Sequence, residues 1–147
     1  MRIVFDGDGV LFSRESENIF CKYGLEAFEA YEMSMAHIPM KPGPCYPLFK
    51  CLSWIQRAAR RLGWPGPFQI YLVTARRPPA DKRVIYTIEH WNGWVDGYYF
   101  MGGQPKAGVI RKLEANIFFD DKAENFEGLT KDTRRFLIRE KRRTFGI

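Results

Sequence analysis

The sequence predicts an α/β fold, a doubly wound parallel sheet with a small helical cap inserted after the first strand. Two observations carry this. Four short apolar runs alternate with stretches of helical periodicity, and strands that alternate with helices build a parallel sheet covered on both faces. Residues 13 to about 44 break the alternation and read as two short helices with a proline-rich return to the core.

The first strand is Ile3 to Phe5, and it empties into Asp6-Gly7-Asp8-Gly9. Carboxylates two residues apart repel, and each resists ionisation unless a cation sits between them. A calcium loop is disfavoured, because no Glu stands at the closing position and Val10-Leu11 interrupts the loop. Glu15 to Tyr23 and Leu25 to Met35 follow as helices separated by Gly24, and Pro39, Pro42, Gly43 and Pro44 form the return. The cap thus covers about residues 14–44. From Pro47, apolar residues at Leu48, Cys51, Leu52, Ile55, Ala59 and Leu62 have the spacing of a buried helix face, which Gly63 stops. The second strand, Gln69 to Val73, runs into Thr74-Ala75-Arg76. A helix from about Ala80 to Trp91 turns Val84, Ile85, Ile88 and Trp91 to one side. The third strand is Gly97 to Phe100, followed by Gly102, Gly103, Lys106 and a helix holding Val109, Ile110 and Leu113. The fourth, Asn116 to Phe119, ends in Asp120-Asp121.

At 147 residues the chain reads as one domain, long enough to bury about two-thirds of its unfolded surface. No apolar run approaches the ~20 residues of a membrane span. The N-terminus reads as a strand rather than a signal peptide. Cys21, Cys45 and Cys51 are odd in number and lack metal-ligand spacing, so buried reduced thiols in a cytoplasmic protein are expected. With only His37 and His90, a His-rich metal site and a Ser-His-Asp triad are disfavoured. Trp54, Trp64, Trp91 and Trp94 are expected in the core. The net charge of +6 concentrates after residue 130, at Lys131, Arg134, Arg135, Arg139, Lys141, Arg142 and Arg143. We read this end as a solvated helix face with Phe136, Leu137 and Ile138 touching the core. Nucleic-acid binding is the less favoured reading, since basic and aromatic residues do not alternate.

In a parallel sheet the strand C-termini share one edge, where ligands bind. Asp6, Asp8, Thr74, Lys106, Asp120 and Asp121 then converge. Two unit charges about 4 Å apart interact by about 4 kcal/mol at an effective dielectric of about 20, so such a cluster needs a compensating cation. All-oxygen ligands suit Mg2+, with Asp6, Asp8, Asp120 and Asp121 as candidate ligands. A carboxylate can attack phosphorus, and a second can protonate the leaving oxygen and then activate water. A hydroxyl, backbone amides and an amine can hold the equatorial oxygens. Asp6, Asp8, Thr74 and Lys106 fill those roles in that order, with Gly7 and Ala75 as further phosphate contacts.

The residues Ile3-Val4-Phe5-Asp6-Gly7-Asp8, Leu72-Val73-Thr74, Lys106 and Phe119-Asp120-Asp121 resemble the four motifs of the haloacid dehalogenase-like phosphohydrolases, whose fold is Rossmann-type. A closer resemblance is to the cytosolic 5'-nucleotidase type I family. It rests on Phe5 to Ser13, Glu15-Ser16-Glu17, Gly24 to Phe28, Ile38-Pro39, Pro42-Gly43-Pro44, Val73 to Arg76 and Phe118 to Asp121. The resemblance implies a magnesium-dependent hydrolase of nucleoside 5'-monophosphates. In it Asp6 is the nucleophile and Asp8 the general acid/base. Asp8 also lends its backbone carbonyl to the metal, and Asp120 its side chain; Thr74 and Lys106 bind phosphate. Among possible substrate contacts, Phe12 is favoured because it follows Asp8 by four residues, with Ser13, Glu15 and Arg76 behind it. After Asp121 the chain departs from the family, carrying Lys122, Ala123, Glu124 and Asn125. Two other functions are expected less: a phosphatase for sugar phosphates or nucleic-acid 3'-phosphate ends, and a non-catalytic nucleic-acid-binding module.

Overall fold

The computed structural model describes residues 1–139. Its strands are β1 (Arg2–Phe5), β2 (Gln69–Thr74), β3 (Gly97–Phe100), β4 (Ile117–Asp120) and β5 (Arg134–Leu137). Its helices are α1 (Glu15–Tyr23), α2 (Leu25–Ser34), α3 (Tyr46–Arg61), α4 (Asp81–His90) and α5 (Ala107–Lys112), with a 3-10 turn at Ala123–Phe126. The sheet is parallel throughout, in the order β3-β2-β1-β4-β5. The chain leaves β1 in one direction and later returns to its other side, so the order reverses between β1 and β4. That crevice is where such sheets bind ligands. Phe5 pairs with Leu72 on one side and Phe119 on the other, which brings the ends of β1, β2 and β4 level.

Period-two alternation sorts the strand side chains. Ile3, Phe5, Ile70 and Leu72 pack with Phe49, Leu52, Val84 and Ile88 on one face. Val4, Val73 and Phe118 pack with Ile110 and Ala115 on the other. The two short helices α1 and α2 pack on each other, with Phe20 edge-on to Phe28 at 6.0 Å. Gly24, at φ +88°, makes the break between them. The return segment is stitched to the loop after β1: Gly43 N–H donates to Leu11 O at 2.7 Å and Cys45 N–H to Val10 O at 2.8 Å. A Cβ at Gly43 would stand 2.4 Å from Phe12 O, so only glycine allows this approach.

Four expectations need correction. The basic end is not helical where it is described: Arg134–Leu137 is a strand that extends the sheet beside β4. Phe136 stacks on Phe119 at 5.2 Å and Ile138, just past the strand, packs on the core, but Phe136 and Leu137 are exposed, so the expected core contact is made only in part. Lys141, Arg142 and Arg143 lie outside the described residues. The buried side of α3 is Phe49, Leu52, Ser53, Gln56 and Ala59, whereas Leu48, Cys51 and Leu62 are exposed. The helix is turned because two polar side chains are satisfied inside. Gln56 Nε2 donates to Phe68 O at 2.6 Å and its Oε1 accepts from Phe68 N–H at 3.1 Å, while Ser53 Oγ accepts from Trp94 N–H at 3.0 Å. Of the thiols only Cys45 is buried, and burial pushes it up to about 11; Cys21 and Cys51 are exposed. Trp54 and Trp64 are exposed rather than core. Among the described residues no helix is long and apolar enough to cross a membrane.

Candidate active site

The sheet edge gathers the predicted residues into two groups. The first centres on Lys106, at the start of α5. It is drawn in because the turn after β3 is zipped to the turn after β2: Met101, Gly102 and Gly103 N–H donate to Thr74, Arg76 and Ala75 O. Lys106 Nζ donates to Asp6 Oδ1 at 2.6 Å and to Asp120 Oδ2 at 2.9 Å. Asp120 is fully buried and also accepts from Lys122 N–H and from Asn125 Nδ2. Asp121, next in the chain, accepts from Arg14 Nη2 at 2.8 Å, and its Oδ1 is buried without a partner. Gly9, at φ +80°, makes room for it; a Cβ there would meet Asp121 Oδ2 at 2.4 Å. Thr74 is buried, with Oγ1 close over Gly7 and accepting from Arg76 N–H.

The second group centres on Arg76. Its Nε and Nη2 donate to the two Asp8 oxygens at 2.8 Å each, and its Nη1 donates to Glu32 Oε2 at 2.6 Å. Glu32, on α2, accepts at its other oxygen from Arg83 Nη1 and Ser16 Oγ. Burial alone would lower the Arg76 pKa, but Asp8 and Glu32 outweigh it and push the value up, so the guanidinium is permanently charged.

Electrostatically the first group is short of positive charge. Burial pushes Asp6 well above the ordinary carboxylate range, to about 8; Asp120 and Asp121 add to the rise, and Lys106 offsets only part of it. Asp121 is raised by burial and by Glu17, against Arg14. Lys106 is raised as well, since Asp6 and Asp120 outweigh its burial. Carboxylate oxygens of Asp6, Asp120 and Asp121 lie within 4.8 Å of one another. With an orphaned buried oxygen among them, this all-oxygen donor set fits a small divalent cation. The Asp8 carboxylate does not belong to that set, because Arg76 holds it.

A cavity of about 430 Å³ opens over both groups. Asp6, Asp8, Thr74, Ala75 and Lys106 line its floor, and Phe20, Leu25 and Phe28 of α1 and α2 form an apolar wall. Glu17 and Lys122, paired at 2.9 Å, stand at its side. Phe12 is misplaced by the sequence reading. It is fully buried, packs on Trp91 at 5.5 Å and does not line the cavity, since the turn after Asp8 folds back under the return segment. Ser13 does not reach the cavity either; its Oγ accepts from Glu15 N–H. Arg76 lines the cavity but spends its donors on Asp8, Glu32 and Ala80 O. Sequence reasoning missed Glu32 and Arg83. The signal for Glu32 was its position: Leu25, Phe28 and Glu32 share one helix face, and the last is charged.

Fold and site together define an α/β protein of the Rossmann-like, haloacid dehalogenase-like class. The family model described as 5'-nucleotidase matches residues 1–142, and the chain belongs to that family. It is 35% identical over 131 residues to human cytosolic 5'-nucleotidase 1B, a match covering 87% of this chain. The chain spans about a fifth of that relative's length, 22%. No solved structure matches it.

Proposed function

We propose that this chain is a magnesium-dependent 5'-nucleotidase, which hydrolyses nucleoside 5'-monophosphates to nucleoside and phosphate. The observation that carries the reading is the placement of Asp6 and Asp8 on one cavity floor, one held by Lys106 and the other by Arg76. Family membership and the name of the human relative support the substrate class. Asp6, Asp120 and Asp121 would hold Mg2+, which when bound would neutralise the carboxylates and screen the charge of the incoming phosphate.

Asp6 attacks phosphorus through a carboxylate oxygen, and the bond from phosphorus to the 5'-oxygen breaks. Each Asp8 oxygen keeps a lone pair outside the Arg76 fork; Asp8 takes up a proton there and gives it to that oxygen, and the nucleoside leaves. Asp8, now ionised, takes a proton from water as the water attacks the aspartyl-phosphate, which frees phosphate and regenerates Asp6. Lys106, Thr74 and the amides around Gly7 and Ala75 hold the equatorial oxygens as charge spreads over them. The nucleoside extends along Phe20, Leu25 and Phe28, where a base finds an apolar face. Helices α1 and α2 thereby act as the cap of a single domain, and the protein works in the cytoplasm on a small substrate. The test is a panel of nucleoside monophosphates and sugar phosphates, assayed for phosphate release with magnesium and with chelator. Turnover of the nucleotides that chelator abolishes supports the reading. Preference for sugar phosphates would move the substrate class, and no turnover of any ester would sink it.

A further inference from the structure

We propose that Glu32, on α2, is a positioning residue for Asp8 and acts through Arg76; this rests on the hydrolase reading above. Arg76 is a planar fork with every edge engaged: Nε and Nη2 on Asp8, Nη1 on Glu32. Such a fork fixes the plane of the carboxylate it binds, which a lysine in its place would not. The fork is itself fixed by Glu32, whose second oxygen is held by Arg83 Nη1 at 3.0 Å and Ser16 Oγ at 2.5 Å. Glu32, Arg76, Arg83 and Ser16 are all buried. Apolar side chains would fill that space at lower desolvation cost, so the buried ions need a reason other than packing. Of the four, only Arg76 reaches the cavity, where it holds the Asp8 carboxylate. Without Glu32, Arg76 Nη1 loses its anion and the guanidinium is free to turn toward other acceptors, taking Asp8 with it. The orientation of the acid over the leaving group is therefore set from the cap helix.

The test compares Glu32→Gln with the wild type on a nucleoside 5'-monophosphate and on p-nitrophenyl phosphate, each in the native and the Asp8→Asn background. The nucleoside is a poor leaving group and needs the proton; nitrophenolate does not. Misplacement of a reacting group costs up to roughly a hundredfold, so kcat on the nucleotide should fall about 10- to 100-fold with KM within about twofold. Loss on the aryl ester should be slight, and in the Asp8→Asn background Glu32→Gln should add nothing. Equal loss on both substrates, or an undiminished loss beside Asp8→Asn, would overturn the inference and leave Glu32 purely structural. Arg76→Lys keeps the charge and removes the fork; it should show the same selective loss, and it decides the matter if Glu32→Gln does not fold. A wild type that releases phosphate from no ester would sink the hydrolase reading and the inference together. An active wild type with unselective variants sinks the inference alone.

Discussion

The two charged groups at the sheet edge obey opposite rules. Around Lys106, Asp6 and Asp120 share one buried cation, Asp121 pairs with Arg14 yet keeps an orphaned oxygen, and Asp6 is held far above its ordinary range. Around Arg76, both oxygens of Asp8 and both of Glu32 have partners. The first group is destabilising as it stands and reads as a receptor for added positive charge. The second is complete as it stands and reads as a brace. A buried polar network that is fully satisfied specifies one geometry, whereas an unsatisfied one marks a place kept for a ligand.

The largest effect should come from Asp6→Asn. Phosphate release should fall roughly a thousandfold or more, because an amide cannot serve as the nucleophile. The same substitution should raise the melting temperature of the metal-free protein near neutral pH, since it removes a buried carboxyl that folding must either protonate or leave under-compensated. Loss of activity together with loss of stability would break the contrast between the groups.

Truncation of the brace should act in reverse. Glu32→Ala strands Arg76 and Arg83, and breaking a buried pair costs about 3–5 kcal/mol, measurable by urea unfolding. Asp121→Asn, in the unsatisfied group, should cost little or nothing in chelator. Similar losses for the two would mean that the groups do not differ in kind.

pH sharpens the contrast further. The folded-state pKa of Asp6 is raised above its unfolded value, so the native state keeps a proton that the unfolded chain has released. Its favourable contribution is therefore present below about pH 4 and is lost as pH rises toward about 8. In chelator, the melting temperature of the wild type should fall relative to Asp6→Asn across that window. Magnesium should reverse the trend by binding the folded state alone. A pH-independent gap between the two proteins would refute the assignment.

Sequence reasoning could see the first group whole and, of the second, Asp8 and Arg76 but not the partners that brace them, for a physical reason. Asp6, Thr74 and Asp120-Asp121 each follow an apolar strand, and parallel strands bring their ends together whatever fills the rest. Lys106 was legible by its place before the last helix. Arg76, Glu32 and Arg83 meet only because α2 and α4 pack at one relative position, and nothing in the periodicity of either helix encodes it. The same limit explains α3, where Gln56 and Ser53 are polar by composition and buried by hydrogen bonding. It also explains β5, whose run of Arg134-Arg135-Phe136-Leu137 is exposed at a sheet edge and carries no alternation to read. Phe12 failed as a substrate contact because proximity in sequence to Asp8 says nothing about which way the turn folds.

The smallest effects separate Phe12 from Phe20, two aromatics on either side of the cavity boundary. Phe12 is closed off by Trp91 and the return segment, so Phe12→Leu should lower stability by about 1 kcal/mol, as a modest core volume change does, and leave KM unchanged. Phe20 is 46% exposed on the cavity wall, so Phe20→Ala should leave stability within about 0.5 kcal/mol. Base–aromatic stacking is worth about 1–3 kcal/mol, and at the lower end its loss raises KM for a nucleoside monophosphate roughly fivefold. p-Nitrophenyl phosphate lacks the nucleoside that reaches this wall, so its KM should not follow. If KM rose equally for both esters, the wall would be shaping the phosphate site rather than holding a base, and α1 would have no part in selecting the substrate.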